Sequence, residues 1–462
     1  MTGYRRNLAA ALVGVYGSGV ALMPNPLYGL VLSSPLLLLP VLWWTLAEPQ
    51  RWLWLFFAGA SLLPPLPFAL GDSGPHPAIV LAALGAFAAL LGIKQWRFVL
   101  DDVSLPLIAF AGILLASVGL AAIYSGIGVA IASLARVVLF GISCLVYFQT
   151  VHGPQPRTNR MRACAVLLAI GTAGALFACL DFYYQFPAPA GFGPQFVWLD
   201  AGVFRRAQGL FYEASTLGNF CAFFLAMIAI ALFNPRERRP CSRPVLIAAG
   251  VVLSMALIFS YSRASLLNVV IALCALAYVR RVRLKRALLT MVACACASAA
   301  AVYLLFPSFA QSYWIRLAAS FQYFWSSPEG ILSGRVASWR ILVQFVIENP
   351  WHGLFGVGYK TLPYSDFIGR TVIADNMYLS LLVETGILGL GAFLFLNFAM
   401  LRTSLRAARL GSFCGAWFFC FWMGETVQML SGDLLTYWRV LPLYFWVLGV
   451  AVRESRNENS AG

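Results

Sequence analysis

Charge is scarce in this chain. Asp, Glu, Lys and Arg make up 11% of its 462 residues, against about 25% in soluble domains. With 61% apolar residues, a soluble fold is excluded, because a single core stops growing well before this length and the surface of a soluble domain needs charge. Histidine is scarcer still. His76, His152 and His352 are the only three, and no H-E-x-x-H, P-loop, G-x-S-x-G or dinucleotide fingerprint occurs. The ten cysteines are dispersed among apolar runs, apart from Cys241, and Cys294-Ala-Cys296 lacks zinc-finger spacing. Neither a metal, a cofactor nor a disulfide framework is expected from them. Strand-period alternation is not sustained, which excludes a membrane barrel.

What the chain has in quantity is long apolar runs, near 7–23, 28–46, 52–70, 77–93, 104–124, 126–149, 163–181, 210–233, 244–260, 264–279, 287–306, 376–401, 412–431 and 434–452. These are about fourteen candidate spans, of the roughly 17–25 residues that carry a helix across a bilayer. Lipid cannot satisfy backbone N–H and C=O groups, so each span must be helical or shielded. The expected fold is all-α, a polytopic transmembrane bundle of about twelve to fourteen spans. It divides into N-terminal helices over 1–181, a first outer loop over 182–209, central helices over 210–306, a large and partly helical outer loop over 307–375, and C-terminal helices with an inner tail over 376–462. The first span lacks a small-residue cleavage site and reads as retained.

Basic residues give the bundle a direction, since they are held on the cytoplasmic side. With the N-terminus inside, the inner connections carry Arg5 and Arg6, Arg51, Lys94 and Arg97, then Arg157, Arg160 and Arg162. They continue with Arg236, Arg238, Arg239 and Arg243, with Arg280 to Arg286, with Arg402, Arg406 and Arg409, and with Arg453 and Arg456. The net charge of +15 is mostly this topogenic charge. Split among many hairpins, it offers membrane lipids a basic face but gives nucleic acid no groove.

The outer segments hold the exceptions. Arg205 and Arg206 precede the eighth span, Arg263 follows the ninth, and Arg335 and Arg340 sit in Gly334-Arg-Val-Ala-Ser-Trp-Arg340. A guanidinium offers planar, permanently charged donors suited to phosphate oxygens, so several converging there would hold a diphosphate. Each alone could equally be an ion-pair partner or a snorkelling anchor. Asp375-Asn376 opens the twelfth span. Asp375 reads either as the helix cap or as a carboxylate base at the lipid–water boundary. Glu213, Glu384 and Glu425 lie at membrane depth, where carboxylates are costly and need partners. Arg205 and Arg206 are the natural partners for Glu213, and Arg136 and Arg439 for the others. His352, in Pro350-Trp-His-Gly353, reads as a solvated loop residue. The run Gly334–Ile347 reads as a helix stopped at Asn349-Pro350, and helices of the large loop are expected to lie at the membrane surface.

Between Asn349 and Gly389 the sequence resembles the superfamily of bacterial O-antigen ligases and Wzy-type polysaccharide polymerases, exopolysaccharide polymerases included. The resemblance rests on Gly334-Arg335 with Trp339, and on Asn349-Pro-Trp-His-Gly353-Leu-Phe-Gly356-Val-Gly358. It continues through Asp375-Asn376-Met-Tyr378-Leu379 and Leu382-Val-Glu384-Thr-Gly386-Ile-Leu-Gly389. Upstream, Arg206-Ala-Gln-Gly209-Leu-Phe211 and Ser262-Arg263-Ala264-Ser265 resemble the family's arginine motifs.

The resemblance implies a GT-C-like glycosyltransferase of the bacterial inner membrane, active on the periplasmic face with both termini cytoplasmic. Its donor would be an undecaprenyl-diphosphate-linked glycan. Its acceptor would be another lipid-linked glycan in a polymerase, or lipid A-core in a ligase. No metal or nucleotide is implied, because the diphosphate is already a good leaving group, while a flippase and chain-length regulators are implied as partners. Carried onto this chain, Arg206 and Arg263 would hold the diphosphate and Asp375 would take the acceptor proton. Arg335 would assist near the acceptor or headgroup, and Arg205, Arg340, Asn376, Tyr378 and Glu213 complete the expected substrate-binding set. In ligases a histidine stands where this chain has Asp375, a departure that favours polymerase. A transporter or non-catalytic protein on the same scaffold is the rival class. It is disfavoured because neither paired half-chain repeats nor broken helices are evident.

Overall fold

The computed structural model describes residues 11, 14–19, 40–45, 48, 50–66, 75–154, 159–187, 193–199, 202–280, 284–322 and 335–459. The first two expected spans fall mostly outside this set, as do Tyr323, Phe324, Trp325 and Gly334. Each of the other twelve corresponds to a helix. In chain order these are α1 (Arg51–Leu62), α2 (Pro77–Leu91), α3 (Ser104–Ser125), α4 (Ile127–His152), α5 (Arg160–Tyr184), α6 (Ala214–Phe233), α7 (Arg243–Phe259), α8 (Arg263–Arg280) and α9 (Leu284–Leu305). The large outer loop adds α10 (Pro307–Gln322), α11 (Arg335–Glu348) and α12 (Pro350–Phe355), before α13 (Met377–Arg409), α14 (Phe413–Gln428) and α15 (Leu441–Asn459). Among the described residues the only sheet is a hairpin, β1 (Phe196–Leu199) against β2 (Gly202–Arg205). Among the described residues six helices, α3, α4, α5, α6, α8 and α13, are long and apolar enough to cross a membrane, and the protein is a multi-pass membrane protein.

Helix α6 lies at the centre. Its sequence is apolar on every side, and an all-round apolar helix belongs inside a bundle. Residues Thr216 to Ala231 are all buried. Phe223 packs on Trp417 of α14 and Tyr444 of α15 at ring-centroid distances of 4.4 and 4.5 Å. The Trp417 indole also donates to the Phe223 carbonyl at 2.8 Å.

The bundle has two distinguishable ends. At one, Arg280 donates to Asn234, Arg409 to the Tyr278 hydroxyl and Arg453 to the Thr150 carbonyl, while Arg160 pairs with Glu454. This end collects the described basic connections. The other end receives the hairpin, the large loop and residues 429–440.

The large loop docks on a broken helix. Gly386 inside α13 has φ +71°, which interrupts the helical hydrogen bonding and frees carbonyls that a continuous helix would use. The Val357 N–H takes the Val383 carbonyl at 3.1 Å, and the Gly358 N–H takes that of Glu384 at 2.8 Å. The approach is backbone on backbone. A Cβ on Gly386 would lie 2.1 Å from the Leu354 oxygen, and one on Gly356 would lie 2.3 Å from the Glu384 oxygen. No broken helix was legible in the sequence. The break is invisible there because Glu-Thr-Gly-Ile-Leu-Gly keeps the apolar period across it.

Loop and α11 also share a small core of their own. Leu342, Val357, Leu362, Val372, Ala374 and Val383 form a cluster separate from the main one. The helix over 335–348 and its stop before Pro350 are as read from the sequence, although Pro350 at once begins the short α12. His352 is not a solvated loop residue. Its ring packs against Tyr124, Phe345 and Phe367 at 5.0, 5.6 and 5.4 Å.

The intramembrane charges find partners other than those expected. Glu425 accepts from the side-chain amides of Asn219 and Asn268 rather than from an arginine. Asn268 continues to Gln428, and Gln428 to Ser265 at 3.1 Å. Arg439 donates to the carbonyls of Ala60, Leu210 and Leu63 at 2.7, 2.6 and 3.1 Å, and its guanidinium lies over the Phe211 ring. Those carbonyls close α1 and the turn before α6, where partial negative charge gathers. Arg136 reaches the Tyr364 hydroxyl. Neither arginine neutralises Glu384 or Glu425.

Candidate functional site

The end of the bundle that receives the loops gathers charge from distant parts of the chain. Arg206 follows β2. Its backbone N–H bonds the Gln195 carbonyl at 2.8 Å, and the next N–H, of Ala207, bonds that of Phe259 at 2.9 Å. The strand exit is thereby stitched onto the end of α7. The Arg206 Nε donates to the Ser260 carbonyl at 2.9 Å, and its remaining N–H groups have no partner among the described residues.

The turn it touches, Ser260-Tyr261-Ser262, is strained. Tyr261 is buried at φ +53°, a left-handed conformation unusual for a bulky residue. Ser262 and Ser265 hydroxyls lie 2.8 Å apart, and the turn delivers Arg263 as the first residue of α8. Such strain persists only where surrounding packing over-determines it.

Arg335 opens α11 and donates from Nε to Asp375 Oδ2 at 3.0 Å. The two side chains are 30% and 47% exposed, so solvent screens the pair and its net worth is about 0–1 kcal/mol. Asp375 itself sits at φ +44°, with the Trp339 indole holding the preceding Ala374 carbonyl at 2.6 Å.

Asp375 is not the cap of α13. Asn376 is, its side chain accepting from the Leu379 N–H at 3.1 Å. The Asp375 carboxylate is therefore spared the capping role and faces Arg335.

Arg206, Arg263 and Arg335 come together. Burial pushes the Arg206 guanidinium below its ordinary value; Tyr437 and Glu213 oppose that shift, while Arg335 and Arg263 add to it. Arg335 also acts directly on Arg263. Three like charges held within electrostatic reach are individually destabilising, and an anion between them would relieve all three. Glu213 stands at the N-terminus of α6 on the same side, within reach of Arg206, Asp375 and Asp433.

Other expected residues are used structurally. Arg205 pairs with Asp181 at 3.1 Å and with the Phe186 carbonyl, not with Glu213. The expected Arg206–Glu213 contact is likewise one of electrostatic reach, not an ion pair. Asn376 caps α13, and Tyr378 donates its hydroxyl to the Thr426 carbonyl at 2.7 Å, fastening α13 to α14. Arg340 is exposed on α11 and makes no ion pair among the described residues.

Three residues that sequence reading passed over belong to this end. Lys360, at φ +55°, forms a buried ion pair with Asp433. Asp433 also caps the turn Leu434–Thr436. Tyr437 is buried within electrostatic reach of Arg206, Glu213 and Asp433. Lys360 carried a usable signal, a cation on an outer segment where retention predicts none. Asp433 and Tyr437 carried none, because their partners are remote in sequence. Among the described residues no three His, Cys, Asp or Glu side chains converge to hold a metal.

No curated protein matches this chain. Residues 248–394 match the family model described as O-antigen ligase. That segment runs from α7 into α13 and contains Arg263, Arg335, Asp375 and the broken-helix dock, while Arg206, Glu213 and Asp433 lie outside it. This central segment of the chain, with three of the site's charged residues, is similar to the O-antigen ligase family.

Proposed function

We propose that this chain is a membrane glycosyltransferase that joins undecaprenyl-diphosphate-linked oligosaccharide repeat units into a surface or exported polysaccharide. It works at the periplasmic face of a bacterial inner membrane, with both termini cytoplasmic, downstream of a flippase and alongside chain-length regulators. The observation that carries this reading is the convergence of Arg206, Arg263 and Arg335 at one end of a membrane bundle.

In the proposed reaction an acceptor hydroxyl oxygen bonds to the anomeric carbon of the donor sugar. The bond from that carbon to the diphosphate oxygen breaks. Charge moves onto the diphosphate, where guanidinium groups already in place hold it without reorganising. A carboxylate takes the acceptor's proton, and the sequence nominates Asp375. Its ion pair with Arg335 ties the acceptor side of such a site to the diphosphate side.

The second reading, transfer of the same donor glycan to lipid A-core, is favoured by the description of the matching family model. Aspartate in place of the ligase histidine favours the first.

Purified protein in lipid nanodiscs, supplied with a defined undecaprenyl-diphosphate oligosaccharide, is expected to release polyprenyl diphosphate and lengthen the glycan in whole repeat units. Arg206→Ala and Arg263→Ala are each expected to insert normally and to abolish transfer. Normal products from both would end the diphosphate-clamp reading. Products formed only when lipid A-core is added would establish the ligase.

A further inference from the structure

Asp375 and Glu213 are both carboxylates within reach of the arginines, and their surroundings differ. Asp375 is about half exposed and already bonded to Arg335. Glu213 is half-buried and stands at the N-cap position of α6, yet its side chain accepts no capping N–H. It makes no ion pair among the described residues. One oxygen, Oε2, accepts from the Ser215 hydroxyl at 2.8 Å. The buried Tyr437 lies close to Ser215 and to Asp433. The other oxygen has no partner among the described residues. Neither of the two structural uses of a buried glutamate, capping or charge pairing, therefore accounts for it.

Resting on the function proposed above, we infer that Glu213, not Asp375, takes the proton from the acceptor hydroxyl, and that Asp375 is a positioning residue acting through Arg335. The acceptor O–H proton passes to the Glu213 carboxylate as the acceptor oxygen bonds to the anomeric carbon. The electron pair of the breaking carbon–oxygen bond leaves on the diphosphate, beside Arg206. The Asp375 oxygen bonded to Arg335 is already occupied, whereas Glu213 keeps one oxygen open to an acceptor hydroxyl. A carboxylate held by a neutral hydroxyl in a buried setting keeps its basicity.

The groups facing Glu213 are Ser215 on its own helix, Arg206 before it, Asp375 at the start of α13, and Asp433 and Tyr437 from the segment before α15. Burial pushes its carboxyl above the usual carboxylate range; the Ser215 hydroxyl and Arg206 oppose this, and the negative charges of Asp375 and Asp433 add to it. A base must be ionised to act. Turnover then rises with pH through an acid limb whose midpoint lies above the ordinary glutamate value of about 4.3.

The test compares Glu213→Gln, Glu213→Asp and Asp375→Asn with wild type in nanodiscs, reading donor binding, kcat, KM and the pH profile with a lipid-diphosphate oligosaccharide. Glu213→Gln is expected to bind donor as wild type does and to lose about 10²–10⁴-fold in kcat. Glu213→Asp is expected to restore part of that loss with the acid limb moved. Asp375→Asn is expected to raise KM about two- to fivefold, the worth of a solvent-screened ion pair, with the acid limb in its wild-type place. Wild-type kcat and pH profile in Glu213→Gln, or loss of the acid limb in Asp375→Asn instead, would overturn the assignment. If wild-type protein binds the donor but transfers nothing to any glycan acceptor, the proposed function itself fails, which separates the two outcomes.

Discussion

Replacing Gly386 by alanine adds one methyl group at the break in α13, and the structure sets the scale of the damage. Two costs combine. A side chain at φ +71° and ψ −175°, a region used almost only by glycine, is strained by about 1–3 kcal/mol. The new Cβ would also lie 2.1 Å from the Leu354 oxygen and 2.4 Å from its carbon, and forcing apart packed groups costs typically about 1–3 kcal/mol. These neighbours are backbone atoms, held by α12 and by the Val357 and Gly358 hydrogen bonds, so no rotamer change relieves the clash.

The expected total is roughly 2–6 kcal/mol. It should appear as a fall in apparent Tm of about 2–6 °C, in detergent at one fixed scan rate because unfolding of such proteins is irreversible. Gly391 is the internal control. It lies five residues further along α13 with nothing within 4 Å of an added Cβ, so Gly391→Ala should be neutral or slightly stabilising, as alanine favours helix. Equal Tm values for the two variants and wild type would refute the backbone dock.

Lys360→Met leaves Asp433 buried without its cation, which should cost about 3–5 kcal/mol, whereas Lys360→Met combined with Asp433→Leu should recover most of it. Melting curves of the single and double variants decide the matter, and an additive loss would mean that the pair is not coupled. Arg439→Lys keeps the charge but loses the fork that serves three carbonyls. At least one of them should go unsatisfied at about 1–3 kcal/mol, read as a lower Tm and faster proteolysis of the segment after α1.

The helices were legible because lipid imposes a simple rule on apolar runs, and twelve of the expected spans each correspond to a helix, although α1 ends eight residues before its expected span, α13 runs eight beyond, and α15 is displaced by seven. The misplaced edges have local causes. The run 210–233 begins late, at Ala214. Leu210, Phe211 and Tyr212 are apolar, but they serve Arg439 and the Gln208 side chain as loop residues. The hairpin at 196–205 was not anticipated, since eight paired residues carry too little pattern to stand out beside long helices.

Within the site, the arginines were legible as violations of charge retention. Their convergence was not, because it depends on how the hairpin and the strained Tyr261 turn aim them. The roles of Asp375 and Asn376 were exchanged in part. Both residue types cap helices well, and only backbone geometry separates the cap from the residue preceding it.

The Arg439 contacts have a consequence for how the molecule is made. This residue, close to the end of the chain, satisfies carbonyls on α1 and before α6, and Asp433 and Tyr437 lie beside Lys360 and Arg206. During synthesis those earlier groups must wait for the last helices to emerge. At about 5–20 residues per second, Arg206 precedes Tyr437 by on the order of 10–50 s. For that interval the polar end stands incomplete in the insertion machinery, and a chain released after α14 would carry every residue of the matched family segment without a finished site.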